Sequence, residues 1–137
     1  MENTPKGIEH MDTRYARQAD AYRVGEEDGP MVMRRRPGSL IHFKECRNVA
    51  IRDVTLLDAP EWTVHLSDCD IGTIHGIRIL NNLLIPNNDG IHCVTSRNVH
   101  ISDCDIQAGD DAIAITGLHG RPEALSENIT VANCTLL

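Results

Sequence analysis

Four stretches of the chain superimpose on one another without a gap: CRNVAIRDVTL from Cys46, CDIGTIHGIRI from Cys69, SRNVHISDCDI from Ser96 and SENITVANCTL from Ser126. Their starts lie 23, 27 and 30 residues apart. Repetition of this length constrains the fold more than any other feature, because one such unit cannot bury its apolar face alone and has to stack on its neighbours. Within the stretches, Ile51, Ile74, Ile101 and Val131 form one apolar column, and Val54, Ile77, Cys104 and Cys134 form another. This alternation of period two describes short strands with one buried face. A second register lies between them: Trp62, Val64 and Leu66 align with Asp89, Ile91 and Cys93, and then with Asp111, Ile113 and Ile115. The strand pattern is constant while the spacing varies, so the variation falls in the turns. No helical period intervenes, and the expected fold is all-β, a right-handed parallel β-helix, incomplete as it stands. Leucine-rich repeats are the nearest rival, and their Leu positions are absent.

Asn48, Asn98 and Asn128 share an offset that Ile71 interrupts. Stacked Asn side chains can bond from coil to coil at a bend, which is a structural role. The five Cys residues are an odd number and contain no CxxC pair, so neither a zinc site nor a complete disulfide framework is indicated. Cys104 with Cys134, and Cys46 with Cys69, fall on neighbouring coils, but parallel side-chain vectors favour plain thiols. With one Trp, one Phe and two Tyr, the core has to be filled by aliphatic residues and Cys.

Residues 1–36 stand outside the repeat. They form a polar extension in which RYARQADAYRV suggests a short helix and Arg34, Arg35 and Arg36 a solvated edge, before the coils of 37–137. Acidic and basic groups balance in the extension, whereas the coils hold the whole formal charge of −7. That argues against nucleic acid as a partner, since phosphates need Lys and Arg on the binding face. No apolar run approaches a membrane span, and MENTPKGIEH has neither the basic start nor the apolar stretch of a secretory signal. Compartment is therefore left open.

The acidic residues of the second register carry the chemistry. Asp89 and Asp111 share an offset on adjacent coils, and Asp110 lies alongside, so three carboxylates fall within one or two rungs of each other. Like charges this close raise at least one pKa, and glycosidic cleavage uses such a set: one acid protonates the leaving oxygen while another carboxylate activates water. Strict alternation would turn Asp111 inward with Ile113 and Ile115, so a bend is needed just before Ala112. Gly90 and Gly109 make such bends cheap. His65 and His92 also share an offset and alternate with inward residues, which places both outward beside the carboxylates as substrate contacts. Trp62 could stack on a sugar, but its place in the apolar column favours core packing.

PNNDGI at Pro86 to Ile91, followed by GDDAIAI at Gly109 to Ile115, resembles glycoside hydrolase family 28, the polygalacturonases and their relatives. The usual family forms are Asn-Thr-Asp-Gly and Gly-Asp-Asp-Cys-Ile-Ala-Ile, and the resemblance runs over roughly residues 36 to 137. It implies hydrolysis of a pectin-type polysaccharide with inversion, Asp110 as general acid, and Asp89 with Asp111 positioning and activating the water. It implies no metal or other cofactor, a polysaccharide partner rather than nucleic acid or membrane, and a monomer when complete. Family members are often extracellular or periplasmic.

Asn88 stands where the family has Thr, and Ala112 where it has Cys. Many members carry a Gly-His-Gly on the coil after the Asp pair and an Arg-x-Lys on the next, and this chain ends at Leu137 before either. His119 and Gly120 come too soon after Asp111 to be that motif. The cationic part of the groove is expected downstream, and these residues by themselves are expected to be marginally stable and weakly active. Two rival functions remain at this level: a calcium-dependent polysaccharide lyase on the same fold, and a β-helical carbohydrate-binding module without turnover.

Overall fold

The computed structural model describes residues 8–9, 32–33, 38–83, 85, 87–117 and 123–137. Two short strands, β1 (Ile8–Glu9) and β2 (Val32–Met33), pair antiparallel with each other. The short helix and the arginine run expected near them lie outside the described residues, as do His119 and Gly120.

From Ile41 onward the chain winds into four coils of three strands. The first holds β3 (Ile41–Lys44), β4 (Arg47–Arg52) and β5 (Thr55–Leu57), and the second holds β6 (Val64–Ser67), β7 (Asp70–His75) and β8 (Arg78–Leu80). In the third are β9 (Ile91–Val94), β10 (Arg97–Ser102) and β11 (Asp105–Gln107), and in the fourth β12 (Ile113–Thr116), β13 (Glu127–Ala132) and β14 (Thr135–Leu136). Corresponding strands pair in parallel, giving three four-stranded sheets: β3-β6-β9-β12, β4-β7-β10-β13 and β5-β8-β11-β14. This is a parallel β-helix. Its registers are those of the repeat, with Ile51, Ile74, Ile101 and Val131 in one column and Val64, Ile91 and Ile113 in another.

The aliphatic columns meet inside the coils. Leu66, Ile74, Ile77, Ile79, Ile91, Val99, Ile101 and Ile106 are buried in one continuous core. All five cysteines are free thiols, and burial pushes that of Cys93 up to about 12.

The corners are made by residues in the left-handed region. Asn48, Ile71, Asn98 and Asn128 form one such column, with φ of 61°, 62°, 55° and 54°, and Asp53, Gly76, Asp103 and Asn133 form a second. The Asn ladder is present: Asn128 Nδ2 donates to Asn98 Oδ1 at 3.1 Å, and Asn98 Nδ2 donates onward to Asp70 Oδ1 at 2.8 Å. Asn suits such a corner because its short amide tolerates this backbone and bonds along the stack.

Candidate functional site

β9 is the one strand among those described whose four residues are all buried. Its inner face, Ile91 and Cys93, belongs to the core, and its outer face is covered as well. The three carboxylates gather at its N-terminal end. Asp89 is 3% exposed, Asp110 is half-buried and Asp111 is exposed. Gly90 N–H donates to Asp111 C=O at 2.9 Å, which ties the turn before β9 to the turn before β12.

The structure resolves the inward-turning problem. β9 begins at Ile91 and β12 at Ile113, so Asp89 and Asp111 precede their strands and escape the alternation. The expected role of the glycines is corrected. Neither Gly90 nor Gly109 has positive φ; what they supply is space. A Cβ on Gly90 would strike the Ala112 carbonyl and the Ile106 side chain, and one on Gly109 would lie 2.6 Å from the Ile85 carbonyl oxygen.

Asp110 and Asp111 are close enough for their charges to act on Asp89, whose carboxyl is pushed above the usual range. Burial is the largest cause, and the two neighbouring carboxylates add to it. A hydrogen bond and the charge of His92 oppose the rise. His92 Nδ1 lies 2.7 Å from Asp89 Oδ2, so Nδ1–H donates a hydrogen bond to an ionised Asp89, and His92 Nε2 lies 3.0 Å from Thr116 Oγ1.

His92 does project from the outer face of its sheet, in register with His65, but it is 7% exposed. The Trp62 ring covers it, stacked at a centroid distance of 3.7 Å and an interplanar angle of 29°. The core position expected for Trp62 is therefore a second correction. Trp62 precedes β6 in the same way as Asp89 precedes β9, and its indole N–H donates to Asn87 Oδ1 at 3.1 Å. His65 lies on the preceding rung, edge-on to Trp62 at 4.7 Å and stacked on His42 at 4.0 Å. The Ser67 hydroxyl bridges the two imidazoles, 2.8 Å from His65 Nε2 and 2.7 Å from His42 Nε2. Burial, followed by the neighbouring His42 and His92, lowers the His65 pKa from 6.5 to about 4, so the ring is neutral near pH 7.

A buried amide network beneath the carboxylates had no counterpart in the sequence reading. Asn88 is fully buried; its Oδ1 accepts the Gly109 N–H at 2.6 Å, and its Nδ2 donates to the Asn82 carbonyl at 3.1 Å. Asn81 in turn accepts the Ala59 N–H at 3.0 Å and donates to Thr63 Oγ1 at 2.7 Å and to the Asn88 carbonyl at 3.2 Å. One amide thus joins the residue before Asp89 to the residue before Asp110. The PNNDG motif contained the signal, since an Asn preceding a candidate catalytic Asp has a second backbone within reach.

A Ser–His–Asp grouping elsewhere does not form a nucleophile relay. Ser102 Oγ and Asp103 Oδ2 both meet the same nitrogen, His75 Nδ1, at 3.0 and 3.3 Å. Among the described residues no three His, Cys, Asp or Glu side chains converge in a way that could hold a metal ion.

Fold and site together define a parallel β-helix with three carboxylates in the turns that lead into two adjacent strands of one sheet. The chain belongs to the glycosyl hydrolases family 28, whose family model matches residues 23–137. A probable polygalacturonase of Arabidopsis thaliana is 44% identical over 80 residues, 58% of this chain and 17% of that protein. An endo-polygalacturonase of Pectobacterium carotovorum subsp. carotovorum is 33% identical over 92 residues, 67% of this chain and 22% of that protein. The solved polygalacturonase from Erwinia carotovora ssp. carotovora superimposes with a TM-score of 0.70 at 25% identity, over 96% of this chain and 34% of that one. The chain therefore spans 22% or less of the length of these two curated relatives.

Proposed function

We propose that the protein hydrolyses glycosidic bonds in a pectin-type polysaccharide, with Asp110 as general acid and Asp89 and Asp111 as the pair that holds and activates the water. The observation that carries this reading is the convergence of three carboxylates from two adjacent coils in a family 28 chain, one of them buried and raised in pKa. The raised group is Asp89 and not the proposed acid, so Asp110 is assigned as acid by its place in the GDD motif; once ionised, a carboxylate of raised pKa is a stronger base, which suits Asp89 to taking a proton from water. In this reading Asp110, the more accessible of the two, gives its proton to the glycosidic oxygen. The products then carry a new reducing end, and attack by free water rather than by a carboxylate inverts the anomeric centre.

The test is the release of reducing ends from polygalacturonate by the protein expressed from its whole reading frame, with Asp110→Asn as the control. Loss of the acid is expected to lower turnover by about 10²–10⁴-fold. Products with an unsaturated sugar end, lost on calcium chelation, would instead identify a lyase. Binding that is unchanged in Asp110→Asn and accompanied by no turnover would identify a carbohydrate-binding module.

A further inference from the structure

We propose that His92 is a positioning residue for Asp89 rather than a contact for the sugar: it grips one carboxylate oxygen and leaves the other to the reaction. This inference rests on the proposed hydrolase reading for its catalytic consequence, but its geometry stands on its own. Both ring nitrogens are engaged, Nδ1 with Asp89 Oδ2 at 2.7 Å and Nε2 with Thr116 Oγ1 at 3.0 Å. Trp62 stacks on the ring at 3.7 Å, and the side chain is 9% exposed. An imidazole with both nitrogens bonded and a covered face has little left to offer a substrate hydroxyl.

The arrangement follows from the coil. His92 is three residues after Asp89 and points outward from β9, so its ring lies beside the carboxylate that the preceding turn delivers. On the next rung its register partner is Ala114, whose methyl leaves room for the ring to reach Thr116. With Asp89 ionised, Nδ1–H donates to it, while the hydrogen bond between Nε2 and the Thr116 hydroxyl anchors the ring from behind. The other titratable groups facing the pair are Asp110 and Asp111, from the turn before β12, and His65 from β6. The first two raise Asp89 further and His92 pulls it back down, so deleting the imidazole donor should leave Asp89 protonated to higher pH.

The test compares the wild-type protein with His92→Phe, which keeps a ring under Trp62 but removes both nitrogens, and with His92→Gln, whose amide can still donate. In His92→Phe, kcat on pectin-type substrate is expected to fall on the order of 10²-fold through loss of carboxylate geometry, with KM little changed. The acid limb of the pH profile is expected to move to higher pH, and His92→Gln to recover part of both effects. Thr116→Val, which removes the rear anchor and leaves the ring in place, should shift the limb less and in the same direction. Carbon NMR of the Asp89 carboxyl follows the same titration without any turnover. If the wild type releases no reducing ends but Asp89 titrates at higher pH in His92→Phe, the hydrolase reading fails and the positioning role stands. An Asp89 titration unmoved in His92→Phe, or a raised KM with kcat preserved, overturns the inference.

Discussion

His65 shows how a residue's chemistry is decided by its rung neighbours. Its ring lies between His42 and Trp62, and burial and two nearby imidazoles depress its pKa from 6.5 to about 4. A histidine that resists protonation in the folded state binds fewer protons there than in the unfolded chain. Its neutral form therefore contributes stability that is present above pH 6.5 and lost as pH falls toward about 4. The side chain is half-exposed, so after discounting for solvent screening the loss is about 1 kcal/mol. His65→Gln, which does not titrate, should flatten the stability curve over this window, as measured by urea denaturation in a series of buffers; an unchanged slope would assign the acid loss to other groups. At this scale the carboxylates were legible because Asp89 and Asp111 share an offset and sit in paired motifs. Trp62 departs from the expected core because it lies two residues before β6 begins, where strand alternation does not constrain it.

The turns hold this fold in register as much as the strands do. Asn98 is the middle of the corner ladder, bonded to Asn128 and Asp70 with its own φ at 55°. Asn98→Ala should cost about 1–2 kcal/mol from the left-handed backbone, with the lost bonds adding to it. Asn98→Gly, which accepts that backbone, should recover the first part, and thermal unfolding of the two variants separates the contributions. The turn before β12 depends in the same way on Asn88. Asn88→Ala leaves the Gly109 N–H without its acceptor and should cost about 1–3 kcal/mol. Asn88→Thr offers a hydroxyl oxygen in its place and should lose less, in stability and in activity alike; equal losses would show that a hydroxyl does not reach the Gly109 N–H, and no loss in either variant would show that the side chain does not hold the turn. Strand columns were legible because apolar alternation reports directly on burial. The amide network was not, since Asn in PNNDG reads equally well as an ordinary turn residue until the second backbone is seen. β1 and β2, at two residues each, are too short to show a period.

At the scale of the molecule, the strands of each coil among the described residues pair with those of the coils next to it, so stability should behave as a sum over neighbouring rungs. The repeat made the stack legible. The extent of burial within it was not, because identical offsets report the column and not how many neighbours a residue has. Ile74 and Val131 occupy the same column, yet Ile74 is fully buried between Ile51 and Ile101, while Val131 on the fourth coil is 42% exposed. Ile74→Ala removes contacts on both sides and should cost about 2–5 kcal/mol. Val131→Ala loses one neighbour's worth of packing and should cost less than about 1 kcal/mol. The extra methylene of Ile accounts for only about 0.8 kcal/mol of that difference. Urea midpoints for the two variants, read at a common slope, measure the gap directly. If it exceeds the methylene, stability is carried by neighbouring rungs; if the two losses match once the methylene is allowed for, Val131 is covered in the protein by a further layer and the fourth coil behaves as an interior one.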